Sequence, residues 1–268
     1  MEFASTVGIS RLFHYCPYVK ERFSDLVQKN RIYLSDTRNF NDPWDCRPCF
    51  DMSQLNDPAY ADKVVDYFYR AARKQYPSTP EEYHKLRALE VRADPEKLRA
   101  ALIQASDMGD EISKRYRVFC LTTHPKNILM WSHYARNHSG ICIEFSCSNL
   151  VFSGAFKVQY GQNYPTFDLT DASDERVLLP LVSKSSAWAY EDEYRLLAQE
   201  RLHAVSKSLI TDRNYLALPI GAVQSVILGC LCPLEIEQEI RDVLNKQSPD
   251  IVVRRLTRLP NKYDFDFA

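Results

Sequence analysis

AWAYEDEYRLLA, residues 187–198, sets Glu191, Asp192, Glu193 and Arg195 among aromatic and aliphatic residues, and whether it forms a strand decides the fold. Read with the two-residue period of a strand, Trp188, Tyr190, Tyr194 and Leu196 share one face, while Glu191, Glu193 and Arg195 share the other. The apolar face suits a packed sheet. The charged face has two readings. Carboxylates two residues apart on a strand have Cα atoms about 6.5 Å apart, near enough for one small polar substrate to touch both. The alternative is a solvated face with an intrastrand Glu/Arg pair, the usual fate of charged strand residues.

Further strand-like runs surround this segment: RVFCLTT (117–123), GICIEF (140–145), FKVQY (156–160), YLALP (215–219) and QSVILG (224–229). A helix is expected over PLEIEQEIRDVLNKQ (233–247), followed by a last strand, IVVRRL (251–256). The chain opens as a compact βαβ-like unit: strand RLFHY (11–15), helix VKERFSDLVQKN (19–30), strand RIYLS (31–35) and the loop DTRNFNDPWD (36–45), which carries Asx and proline turn chemistry. From 57 to 116 the periodicity turns helical. Asp57-Pro58, Thr79-Pro80-Glu81-Glu82 and Asp94-Pro95-Glu96 each place an N-cap residue before a proline at the first helical position. The expected class is α+β, a single domain over 1–268 with a mixed or antiparallel β core and a helical insertion at 57–116. DLTDASDERVLLPLVSKSS (168–186) is the expected mobile loop leading to the charged strand.

A chain of 268 residues, 45% hydrophobic, is long enough for a sizeable core. Its formal net charge of -1 lacks the basic footprint of a protein that lives on nucleic acid, although the local basic run at 252–258 leaves nucleic acid as a possible partner. The N-terminus has no basic region followed by an apolar one, and no run of about 18 apolar residues occurs. A cytoplasmic protein with no membrane partner is expected. Eight cysteines are too dilute for a disulfide scaffold and should be reduced. Zinc on CRPC (46–49) and CLC (230–232) is not expected, because the second spacing is too short. Seven glycines form neither G-x-G-x-x-G nor a Walker loop, so a Rossmann or P-loop cradle is not expected.

ILMWSHYARNHSGICIEF (128–145) is the densest polar and aromatic cluster. Tyr134 and His138 lie four residues apart on one helix face, with Trp131 beside them. The spacing is not H-E-x-x-H, and Ser132-His133 point apart on a helix, so neither zinc-protease nor serine-hydrolase chemistry fits. His14 on the first strand reads either as a core histidine or as a ligand contact. Asn41 and Asp42 read either as turn makers or as a substrate loop.

FNDPWDC (40–46), MWSHYARNHSGICIEF (130–145), WAYEDEYR (188–195) and VILG (226–229), in this order, resemble the bacterial family catalogued as domain of unknown function 2971. The resemblance covers roughly residues 11–50, 117–160 and 184–230. LFHYCPYVKERFSDLVQKNRIYLSD (12–36) in turn looks like the first strand, helix and second strand of ADP-ribosyltransferase-like enzymes. That second resemblance implies NAD as substrate, with ADP-ribose passed to a macromolecule or nucleotide, in bacterial defence or conflict. His14 would contact the nicotinamide-side ribose. Tyr134, with Tyr15 or Tyr160 as alternatives, would match the family's Tyr. Glu193 would be the catalytic Glu and Glu191 the leading acid of an E-x-E pair.

Cleaving the nicotinamide–ribose bond passes through an oxocarbenium-like state that a fixed carboxylate stabilises. On this reading Glu193 carries the developing charge, Glu191 orients or deprotonates the incoming nucleophile, and Arg195 binds pyrophosphate or pairs with Glu191. His14, Tyr134 and Glu193 should converge on one pocket, with Trp131, His133 and His138 as its wall and Asn41 and Asp42 at its rim. Two other classes stay open: a non-catalytic nucleotide- or protein-binding module, and a metal-dependent phosphodiesterase with Asp42, Asp45, Glu144 and Glu191 as hard ligands.

Overall fold

A computed structural model describes residues 1–47, 49–106, 113–166, 168, 170, 178–201 and 209–268. Much of the expected mobile loop, namely residues 169 and 171–177, lies outside the described residues, as do 107–112 at the end of the expected helical stretch. The chain has an α+β fold that divides into two compact units. One comprises 1–39, 113–160 and 185–268, the other 40–112 and 161–184.

The elements run β1 (Arg11–Cys16), α1 (Lys20–Gln28), β2 (Arg31–Tyr33), α2 (Pro58–Gln75), α3 (Glu81–Ala93), α4 (Pro95–Ser106) and β3 (Tyr116–Thr122). They continue as α5 (Ile128–His133), β4 (Ile141–Ser146), α6 (Leu150–Ser153), β5 (Phe156–Lys157), β6 (Gln159–Gly161), β7 (Ser183–Ser185), β8 (Glu193–Glu200) and β9 (Leu209–Thr211). The last five are β10 (Tyr215–Ala217), β11 (Val223–Leu228), α7 (Leu234–Gln247), β12 (Val252–Arg258) and β13 (Phe265–Phe267).

The larger unit is built on one nine-stranded sheet in the order β13-β12-β11-β4-β1-β3-β8-β5, with β9 paired to β8. Only β11/β12 and β8/β9 are parallel pairs among those described; the sheet is mixed and mostly antiparallel. β2 does not join it. That strand pairs with β10 instead, so the expected βαβ-like opening is a strand and a helix followed by a hairpin-like partnership with a distant segment.

Strand alternation sends two different side-chain sets to the two faces. Leu12, Phe119, Ile143, Phe145 and Leu196 pack with Phe23 and Leu26 of α1 and Ile240 and Leu244 of α7. Phe13, Tyr15, Cys142 and Ile227 pack with Met130 and Trp131 of α5. Burying apolar area on both faces, at about 25 cal/mol per Å², is what makes the central strands insensitive to their own weak alternation.

The smaller unit carries α2, α3 and α4 around a core of Phe50, Val64, Val65, Leu98 and Leu102. Asp57 caps α2 by accepting from Ala59 N at 3.0 Å, and Asp94 accepts from Glu96 N and Lys97 N at 3.1 and 3.3 Å before α4. Thr79 does not cap α3, whose N-cap position is Pro80 with no side-chain bond. The FNDPWD loop belongs to this unit. Asp42 is buried and accepts from Trp44 N at 2.9 Å, and the Tyr164 hydroxyl donates to the carbonyls of Trp44 and Arg47 at 2.8 and 2.6 Å.

Candidate functional site

The charged segment is not a strand throughout. Ser186–Glu191 forms a 3₁₀ turn, Asp192 takes a left-handed conformation (φ 42°), and β8 begins only at Glu193. The period-two reading therefore fails for Trp188, Tyr190 and Glu191. Asp is among the few residues that enter the left-handed region at small cost, and Asp192 is held there by a hydrogen bond from the Thr123 hydroxyl. The Thr122 hydroxyl donates to the Glu191 carbonyl at 2.5 Å, and Asn127 Nδ2 to the Tyr190 carbonyl at 2.8 Å. These bonds aim the turn at α5.

At that point the Tyr134 hydroxyl donates to Glu191 Oε1 at 2.6 Å. Glu193 lies next along the chain, with its backbone N–H donating to the Tyr160 hydroxyl at 2.8 Å. Its carboxylate is gripped by Arg195 in a fork: Nε to Oε1 at 2.8 Å and Nη2 to Oε2 at 3.0 Å. Glu191 and Glu193 are each 2% exposed and Arg195 is fully buried, so the face is neither solvated nor open. Tyr134 is half-buried and is the member of the group nearest to solvent.

Strand register places His14 elsewhere. Phe13 pairs with Thr122, and Thr122 with Glu193, so all three side chains share the face covered by α5. His14 pairs with Ile143 on the opposite face, covered by α1. There its ring stacks on Phe119 (centroids 4.0 Å apart) and Nδ1 hydrogen-bonds the Cys120 carbonyl at 2.7 Å. The expected convergence of His14 with Tyr134 and Glu193 is thus corrected: the sheet lies between them. One residue of register decides this, because neighbouring strand residues point to opposite faces.

The expected pocket wall is also redistributed. Trp131 is fully buried with its indole donating to the Pro125 carbonyl at 2.9 Å, and Tyr15 is buried edge-on to it with its hydroxyl donating to the His124 carbonyl at 2.5 Å. Both are core residues. His133 is exposed, 6.3 and 6.5 Å from the rings of Trp188 and Tyr190, which together make an aromatic rim beside Tyr134. His138 belongs to a run of three left-handed residues, Arg136–His138, and lines a separate open cavity of about 850 Å³ with Cys230 and Arg258. Its Nδ1 is buried with no hydrogen-bond partner among the described residues, and burial lowers its pKa. Asn41 and Asp42 sit in the smaller unit, Asp42 making the local turn bond.

Of the hard-ligand set, Glu144 accepts from Arg11 at 2.8 Å and from the Ser225 hydroxyl, and no group of three or more His, Cys, Asp or Glu among the described residues is arranged to hold a metal ion. Thr122 and Asn127 were missed by sequence reasoning. Thr122 occupies an inward period-two position of RVFCLTT, and Asn127 is the N-cap of α5, accepting from Leu129 N and Met130 N at 3.0 and 3.2 Å. Those were the available signals. Lys184, 3.8 Å from Asp45 with both side chains nearly fully buried, left no such sign.

No curated protein and no solved structure matches the chain. A family model described as "Protein of unknown function (DUF2971)" matches residues 130–165, the stretch that contains Tyr134 and Tyr160. Over those residues the chain is similar to the DUF2971 family.

Proposed function

We propose that the chain cleaves the bond between nicotinamide and ribose in NAD and passes the ADP-ribose to an acceptor, with Tyr134 and Glu191 at the reacting centre. The observation that carries this reading is the 2.6 Å hydrogen bond from the Tyr134 hydroxyl to Glu191 Oε1, on the sheet face that also holds the Glu193/Arg195 fork. In the reaction the C1′–N bond breaks and its electron pair leaves with neutral nicotinamide. The C1′–O bond to the acceptor forms, and the acceptor's proton passes to Glu191. A carboxylate there also opposes the positive charge that develops on the ribose. Glu193, with both oxygens on Arg195, acts as a positioning residue for the turn. The rings of His133, Trp188 and Tyr190 offer flat surface on which a nicotinamide or adenine ring stacks.

The test is nicotinamide release from NAD by the wild type and by Glu191→Gln and Tyr134→Phe, followed chromatographically. Losses of about 10²-fold or more in the folded variants are expected, the range of a general base, beyond the roughly 1–3 kcal/mol of stability that loss of the buried hydrogen bond costs. Turnover by both variants equal to that of the wild type would overturn the reading. A second reading, a nucleotide-binding module without turnover, is favoured by the burial of Glu191 beneath Tyr134; NAD binding with no nicotinamide release would select it.

A further inference from the structure

On the sheet face opposite Tyr134 and Glu191, between α1, β2 and the central strands, lies a cavity of about 210 Å³ lined by His14. Its volume equals roughly seven waters at about 30 Å³ each, and falls below the roughly 300–1,000 Å³ of sites for drug-sized ligands. A dinucleotide is too large for it. The buried walls are apolar: Phe23, Leu26, Phe119, Ile141 and Ile143. Two polar features stand out. His14 has Nδ1 committed to the Cys120 carbonyl, and burial holds its pKa down at about 4, so the ring is neutral with Nε2 left as an acceptor. On the solvent side are Arg22 and Arg31, and no acidic side chain lines the cavity.

The two arginines differ. Arg31 is already paired with Asp25 at 2.8 Å. Arg22 makes no ion pair among the described residues, and its guanidinium carbon sits over the Tyr33 ring, 3.2 Å from its centroid. A stacked guanidinium keeps its N–H edge in a fixed plane, the arrangement that binds a carboxylate with two parallel hydrogen bonds.

We propose that this cavity is a binding site for a small aromatic carboxylate bearing an O–H or N–H donor at the end remote from its acid group. The ring fills the apolar walls, the carboxylate meets Arg22, and the remote donor bonds His14 Nε2. A ligand lacking the acid leaves Arg22 with water only, and one lacking the donor leaves His14 Nε2 unpaired in an apolar cavity.

Calorimetric titration with 4-hydroxyphenylacetate, phenylacetate and 4-hydroxyphenethyl alcohol tests this. The hydroxy acid should bind at millimolar concentration or below, the unsubstituted acid about fivefold more weakly, and the alcohol about tenfold or more weakly, the fold-changes of one neutral and one charge-assisted hydrogen bond. Arg22→Gln, an exposed substitution that leaves the core intact, should erase the preference for acid over alcohol. His14→Leu should erase the preference for the hydroxylated acid. No binding of either acid by the wild type, or unchanged preferences in both variants, would overturn the proposal. Displacement of a bound acid by NAD would also overturn it and return His14 to the nucleotide. Turnover of NAD at Tyr134 and Glu191 is a separate measurement, so either proposal can fail alone.

Discussion

Glu193 and Arg195 form a fully buried fork, and such pairs are held by mutual geometry against a large cost of removing both charges from water. Glu193→Gln takes the carboxylate charge away while Arg195 stays charged and buried. A stability loss of roughly 3–5 kcal/mol is expected, read as a fall in the urea midpoint. Replacing both together, as Glu193→Leu with Arg195→Met, should recover most of it. A silent Glu193→Gln would contradict the burial. His14 is the other residue whose setting makes a measurable statement. Burial pushes its pKa down to about 4, outweighing the Cys120 hydrogen bond, which raises it. The unfolded chain takes up this proton near the ordinary value of about 6.5. Between these values the unfolded state holds more protons, so the contribution is intact above about pH 6.5 and is lost as pH falls toward 4. Urea unfolding at pH 7 and pH 5 should differ by about 2 kcal/mol from this group. His14→Leu should show a correspondingly shallower acid dependence, and an unchanged dependence would place the acid sensitivity elsewhere.

At the scale of elements, α5 is only six residues long and depends on its ends. Asn127 performs two tasks there: Oδ1 caps the first turn and Nδ2 ties the helix to the Tyr190 carbonyl. Asn127→Asp keeps the acceptor and loses the donor, whereas Asn127→Ala loses both. The alanine variant should be destabilised by about 1–2 kcal/mol, and the aspartate variant by less. Both should loosen the turn that carries Glu191, visible as faster amide exchange over 186–192. Equal protection in wild type and Asn127→Ala would show that the turn is held by Thr122, Thr123 and Tyr134 without Asn127. The end of β11 carries the other constraint. A side chain at Gly229 would run into the His138 backbone carbonyl and crowd the Trp131 ring, so Gly229→Ala should cost about 1–3 kcal/mol as an overpacked site.

For the whole molecule, all eight cysteines are unbridged, and burial pushes several of their thiols up, Cys16 to about 12 and Cys147 to about 11. Eight thiols should titrate in denaturant without reductant, and only a minority should react quickly in the folded protein. Fewer than eight after denaturation would mean a bridge absent from this fold. Among the described residues no helix is long and apolar enough to cross a membrane. Much of the architecture was legible because it depends on local chemistry. The short apolar runs of RLFHY, RVFCLTT and GICIEF mark central strands, and Asp57-Pro58 and Asp94-Pro95 mark helix starts. The pairing of Tyr134 with Glu191 was foreshadowed only as two members of one candidate site. Three things waited for the tertiary structure. The strand at 187–198 begins six residues late, because Asp192 turns left-handed under a hydrogen bond from Thr123, a residue distant in sequence. The charges of Glu193 and Arg195 are buried, because the register of β3 against β8 sets them on the inner face shared with Thr122 and Phe13 and not on a solvated one. His14 and Glu193 stand on opposite faces because register, set by pairing between segments distant in sequence, assigns each side chain its face. Residue chemistry and local periodicity are written along the chain; which charges meet, and across which face, is settled only when distant strands pair.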